Sequence, residues 1–280
     1  MVFVGGSVAV SAVLDDAPLW AAQAVRYAIA CGLLHVMARV TRRRVVLPRG
    51  TEWLWLVGVA ASGLVLFNIA LVEGSRHAEP AVLGVAVAAV PLVLAVAGPL
   101  TAGRRPGAAV VGAAGVVTAG AVLVEGGGRS DLTGLAWAAL VLGSEAAFTL
   151  LAVPVLRRHG PWGVSVHSTW LAVVMFGALS VATEPPDAVL TLTAPEAGAV
   201  AYLAVAVTAV AFVLWYSAVD RLGAAAAGLL TGIAPASAAA VGVLLGGPVP
   251  GPWVWAGIAT VGVGLAAGLG SARTARPHRA

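Results

Sequence analysis

The chain has no lysine, a single cysteine and only 10% charged residues in 280. Soluble domains carry about 25% charged residues, so a water-soluble enzyme is excluded at the outset. Cys31 has no partner for an internal disulfide and says nothing about redox compartment. Glycine (35) and proline (16) are abundant, yet no Gly-X-Y period or polar tract accompanies them, which excludes collagen and disorder. What fills the sequence is apolar: 60% hydrophobic residues and a mean hydropathy of +0.97. The reading is an all-α polytopic membrane protein. At about 20 residues per spanning helix, ten helices take about 200 residues and leave only short loops, with no room for a soluble domain. The net charge of +4 comes from sixteen arginines, scattered through short loops as topology signals are. No nucleic-acid partner is expected.

Apolar runs separated by charge or Pro/Gly punctuation predict ten spans, at about 1–14, 18–40, 53–72, 78–100, 108–124, 132–156, 164–182, 196–219, 223–246 and 252–270. Fourteen residues rise about 21 Å against a hydrocarbon core of about 30 Å, so the first span is read as a helix truncated at its start. The loops alternate in charge. Arg39, Arg42, Arg43, Arg44, Arg49, Arg104, Arg105, Arg157, Arg158, Arg221, Arg273, Arg276 and Arg279 fall in one set, and only Arg76 and Arg129 in the other. Thirteen against two predicts that the arginine-rich loops and the C-terminus are cytoplasmic in a bacterial inner membrane. Trp20, Trp53, Trp55, Trp162, Trp253 and Trp255 lie at span ends, where an amphipathic ring prefers the headgroup region.

The two halves echo each other. Ala89-Val90-Pro91 in the fourth span matches Ile233-Ala234-Pro235 in the ninth, and Ile69-Ala70-Leu71 matches Ser217-Ala218-Val219. Five helices per half is an odd number, so the second half enters the membrane inverted, a pattern of secondary transporters. The expected division is 1–130 for the first repeat, 131–271 for the second and 272–280 for a cytoplasmic tail.

Several segments carry a resemblance: Gly5-Gly6 with Pro18 and Arg26-Tyr27; Phe67-Asn68-Ile69-Ala70-Leu71 with Ala81 and Pro91; and Tyr216-Ser217-Ala218-Val219 with Arg221, Ala224 to Ala227 and Pro235. Taken together they resemble the EamA-type family of the drug/metabolite transporter superfamily. The resemblance implies ten transmembrane helices in two inverted five-helix repeats. It also implies carriage, commonly export, of small metabolites, often amino acids or related compounds. The chain departs from the family where Leu244-Leu245-Gly246-Gly247 runs into Pro248 without the usual glutamate.

Glu145 is the principal candidate, near the middle of the sixth span. An ionisable group at the bilayer centre costs about 2.5–3.5 kcal/mol on insertion scales, so it is expected to face a cavity or a partner. It is the candidate for substrate binding and proton coupling, against a static hydrogen-bonded carboxyl. Arg26, two turns into the second span, suits a substrate carboxylate or phosphate; otherwise it snorkels or pairs with Asp15 or Asp16. His35, nine residues on, lies about 180° away around the helix. Asn68 either cross-links helices or contacts substrate. Trp170 is one turn from His167 at the cytoplasmic mouth, and Trp215 forms a stripe with Thr208 and Phe212; both tryptophans are candidate substrate contacts. Pro91 and Pro235 each remove a mid-helix hydrogen bond and are read as paired kinks. The pairs Gly228/Gly232, Gly242/Gly246 and Gly264/Gly268 indicate close helix contact and a homodimer face.

No phosphate loop, metal-ligand cluster or Gly-x-Ser-x-Gly motif is present in the sequence, so no cofactor, no metal site and no catalytic residue are expected. The reading is a secondary active transporter for a small polar metabolite in a lipid bilayer. The alternative is a non-transporting scaffold or sensor subunit.

Overall fold

The computed structural model describes residues 10, 12–14, 17–244, 246 and 249–274. Among them, nine helices are long and apolar enough to cross a membrane: α1 (Leu19–Val40), α2 (Glu52–Ser75), α3 (Pro80–Thr101), α4 (Ala108–Glu125), α5 (Leu132–Leu150), α6 (Val153–Thr183), α7 (Ala194–Leu222), α8 (Ala224–Leu244) and α9 (Pro252–Thr274). They correspond to the second through tenth expected spans. Of the first span, residue 10 and a 3₁₀ turn at Ala12–Leu14 are described; the rest, with Asp15, Asp16 and residues 275–280, lies outside the described residues.

One boundary is corrected. The expected sixth span ran to 156, but α5 ends at Leu150 and a new helix begins at Val153. Pro154 lies in the first turn of α6, where its missing N–H costs nothing. The 153–159 segment then breaks at Gly160, whose φ of 62° and ψ of 177° are non-helical, just before Pro161. Glycine tolerates that conformation, whereas a Cβ would be strained. The expected seventh span, 164–182, is thus the apolar part of a longer, bent element.

The main core joins α1, α2, α3, α5, α6, α7 and α8 through Tyr27, Leu56, Leu94, Phe148, Phe176, Tyr216 and Ala227. Helices α4 and α9 form a lateral pair built on glycine. A Cβ on Gly257 would come within 2.6 Å of the Gly120 carbonyl, so the two backbones touch. The glycines expected to mark a dimer face are largely used within the chain: Gly228 abuts Leu94, Gly232 and Gly264 abut Val117, and Gly268 abuts Leu229. Overpacking such a contact costs about 1–3 kcal/mol. Gly257→Val is therefore expected to lower the thermal midpoint of the purified protein, whereas Gly262→Val, at a position with no neighbour within 4 Å, leaves it unchanged. Equal midpoints for the two variants would disprove the contact.

Besides α6, four helices depart from regular α geometry, in matching pairs. α2 carries a π segment at Ala61–Leu66 and α7 another at Leu203–Val210. α3 is interrupted at Ala89, two residues before Pro91, and α8 tightens to 3₁₀ at Leu229–Gly232, just before Pro235. Both prolines are buried. A mid-helix proline removes its own N–H and clashes with the carbonyl four residues back, which accounts for both irregularities. The arginine-rich end of α3 packs on the start of α8, with Gly98 against Ala224 and Gly228 against Leu94.

At the arginine-poor end a clasp joins the α2–α3 and α4–α5 turns. Ala78 bridges Ser130, Arg129 pairs with Glu79 at 2.8 Å and His77 with Asp131 at 3.1 Å. Arg129 holds the Glu79 carboxyl below its usual range. The Gly134 amide and then His77 do the same for Asp131. Depressed carboxyls stabilise the fold above their ordinary range, and that contribution is lost as pH falls through the folded values. Arg76, the other arginine at this end, pairs with Glu73 at 3.1 Å. The two exceptions to the arginine asymmetry are both neutralised by acids.

Candidate functional site

The site starts from α1. Gln23, Arg26 and Tyr27 are spaced i, i+3, i+4 and share one helix face, which turns inward. Gln23 and Tyr27 are buried and Arg26 is half-buried. The Arg26 Nε–H donates to Thr208 Oγ1 of α7 at 2.9 Å, and a second guanidinium nitrogen donates to Gln23 Oε1 at 3.3 Å. Gln23 Nε2 donates to Asn68 Oδ1 of α2 at 3.0 Å, while Asn68 Nδ2 donates to its own Leu64 carbonyl at 2.6 Å. The guanidinium carbon lies 5.1 Å from the Tyr27 ring centre, within cation–π range. An arginine in a membrane interior is expensive unless its donors are occupied; here three helices share that task.

The π segment of α7 is what makes Thr208 available. The Thr208 hydroxyl donates to the Leu203 carbonyl five residues back, at 2.9 Å, a π-helical spacing. Its lone pair then receives the Arg26 proton. π segments recur at functional sites because one widened turn re-aims a side chain.

Glu145 enters from α5. It is half-buried and interacts electrostatically with two buried tyrosines, Tyr27 of α1 and Tyr216 of α7. Tyr27 also feels Arg26 and Asn68, so the arginine and the glutamate both act on this one tyrosine. Among the described residues Glu145 makes no hydrogen bond or ion pair. Aromatic packing walls the region: Tyr27 stacks on Phe176 at 5.4 Å, and Phe148 meets Phe212 at 5.1 Å and Tyr216 at 5.2 Å. A small cavity beside Arg26 is lined by Leu14, Ala17, Gln23, Val200 and Leu203.

The position of α1 is set from the far end of α6. Pro18 offers no side-chain cap; instead the Glu184 carboxylate accepts from the Trp20 and Ala21 amides, each at 2.8 Å. A carboxylate at a helix N-terminus satisfies orphan donors and complements the dipole. Trp20 also stacks on Phe176 at 6.1 Å, so it packs inward as well as marking a span end.

The two tryptophans fall elsewhere. Trp215 donates to Thr149 Oγ1 of α5 at 3.1 Å and is buried, so its N–H is spent on joining α5 to α7. Trp170 lies at the arginine-rich end of α6, apart from the Arg26 cluster. Its indole N–H, which can only donate, goes to His167 Nδ1 at 3.1 Å, and its ring meets Trp53 edge-on at 5.8 Å. The His167 proton is therefore on Nε2, donating to the Val46 carbonyl at 2.9 Å. Glu52 completes this second cluster by accepting from the Arg49 amide, Arg158 and His159.

Sequence reasoning missed Gln23 and Glu184. The i, i+3 spacing of Gln23 to Arg26 was a usable signal. Glu184 lies 163 residues from the amide it caps, and no local signal could reveal it. Among the described residues no group of three or more His, Cys, Asp or Glu could hold a metal ion.

Residues 132–267 match the model of the EamA-like transporter family. A "Probable terminal-alkyne amino-acid exporter" of Streptantibioticus cattleyicolor is 27% identical over 232 residues, covering 81% of this chain and 74% of that protein. A crystal structure of another protein superposes with a TM-score of 0.81 at 19% identity, covering 99% of this chain and 96% of that one; this likeness concerns the fold alone. The chain is a multi-pass membrane transporter rather than an enzyme. Its similarity to the EamA-like transporter family lies in residues 132–267.

Proposed function

We propose that the protein is a secondary active transporter that exports a small polar metabolite bearing a carboxylate, such as an amino acid or related compound, by alternating access. The observation that carries this reading is the approach of Arg26 and the unbonded Glu145 to one interior region flanked by Tyr27 and Tyr216. A guanidinium fork suits a carboxylate, and a free carboxylate acting on the same tyrosine suits an ammonium group or a transferable proton. The similarity to a probable terminal-alkyne amino-acid exporter supports an amino-acid-like substrate.

The mechanical reading uses two inverted five-helix repeats, 1–130 and 131–271. The paired π segments of α2 and α7 and the paired proline irregularities of α3 and α8 support it, because inverted repeats are expected to share such features. Pro91 and Pro235 then serve as flex points about which the halves rock. The arginine asymmetry supports arginine-rich loops and a C-terminus on the cytoplasmic side of a bacterial inner membrane.

The test is counterflow in proteoliposomes against a panel of amino acids and small metabolites. The expected result is transient accumulation of one carboxylate-bearing class, driven only by unlabelled substrate on the opposite side. No counterflow for any compound, with the protein folded and inserted, would favour a non-transporting scaffold or sensor.

A further inference from the structure

The segment between α1 and α2 is more ordered than its lack of helix or strand implies. α1 ends in a Schellman-type cap, with the Arg43 amide donating to the Ala38 carbonyl at 2.7 Å and the Arg42 amide to the Arg39 carbonyl at 3.1 Å. Arg42 has a φ of 54°, a left-handed position that glycine usually occupies. From there the chain crosses the end of α6 as a fastened strap. His167 Nε2 holds the Val46 carbonyl at 2.9 Å, Arg158 donates to the Leu47 carbonyl at 3.3 Å, and Glu52 binds Arg158, His159 and the Arg49 amide.

The inner side of the strap is thus occupied by α6, and its arginines point away. Arg39, Arg42, Arg43, Arg44 and Arg49 are exposed, as is Arg157 of α6. None of the six forms a salt bridge among the described residues, and the acid nearest the strap in sequence, Glu52 at the start of α2, is already paired with Arg158. Beside these charges are exposed apolar groups, with Leu47 76% and Leu54 73% exposed and Trp53 and Trp55 partly so. Unpaired guanidinium groups over apolar and indole surface match a lipid headgroup region: phosphate for the forks, acyl chain for the leucines.

We propose that this strap is a binding site for anionic phospholipid headgroups, with Arg42, Arg43 and Arg44 holding the phosphate. The site is independent of the transported substrate, and its test does not use transport.

The measurement is native mass spectrometry of the delipidated full chain, titrated with phosphatidylglycerol or phosphatidylcholine. Wild type is expected to retain phosphatidylglycerol in preference to phosphatidylcholine. Single replacements of Arg42, Arg43 or Arg44 by Gln are each expected to weaken phosphatidylglycerol binding about fivefold, the worth of one arginine near an anionic surface. Arg→Lys at the same positions retains most of the preference. The double variant R104Q/R105Q, which removes two charges from another loop of the same set, is expected to bind as wild type does. Equal retention by wild type and the three Gln variants would overturn the proposal, as would an equal loss in R104Q/R105Q. Displacement of the lipid by inorganic phosphate would show a simple anion site and overturn the lipid assignment.

Discussion

Arg26→Gln is expected to reduce counterflow about thirtyfold or more while the protein still inserts and folds. Truncating one partner of a buried, hydrogen-bonded charge pair costs about 2–5 kcal/mol in binding, and every 1.4 kcal/mol is tenfold. Gln keeps a donor toward Thr208 but loses the charge and the planar fork. Arg26→Lys retains the charge without the fork and is expected to fall between the two. Thr208→Val separates binding from positioning. It removes the acceptor that holds Nε at 2.9 Å but leaves the guanidinium intact, so the KM rises while the maximal rate is largely kept. Wild-type counterflow in Arg26→Gln would remove this residue from substrate recognition.

Glu145→Gln is expected to leave folding intact and to abolish the dependence of substrate movement on a pH gradient. One pH unit corresponds to about 1.4 kcal/mol, so a one-proton exchanger accumulates substrate about tenfold per unit of gradient; the variant should accumulate none beyond counterflow. The fold survives because Glu145 makes no hydrogen bond or ion pair among the described residues, and a neutral amide is cheaper to hold in a membrane interior than a charge. The readout is uptake into proteoliposomes with and without an imposed gradient, wild type beside variant. If Glu145→Gln follows the gradient as wild type does, the carboxyl has no part in coupling. Loss of counterflow together with loss of coupling instead assigns it to direct substrate binding.

Much of this was legible before any coordinates. Seven of the nine described spans were located within a few residues, because long apolar runs bounded by arginine, proline and glycine are a strong signal where no backbone group can be left unpaired. The boundary between α5 and α6 was misplaced because Leu151 to Leu156 stays apolar across a break made by backbone geometry; hydropathy does not register φ and ψ. Pro91 and Pro235 could be read as irregularities because a missing N–H acts locally. The π segments could not, since Ala61–Leu66 and Leu203–Val210 have ordinary helix-compatible composition.

The candidate site divides in the same way. Arg26, Asn68 and Glu145 were visible as polar groups inside apolar runs, a rarity that selection against buried charge makes informative. Their sequence neighbours could not reveal that Arg26 bonds Thr208, 182 residues away, or that Trp215 and Trp170 are committed to Thr149 and His167. Sequence by itself determined the membrane class, the position of most described spans and the polar residues, because hydropathy and charge are properties of single side chains and short windows. Only the tertiary structure decided which of those residues meet. Helix rotation and packing arise from contacts summed over the whole bundle, and one face of an apolar helix looks much like another until its neighbours are in place.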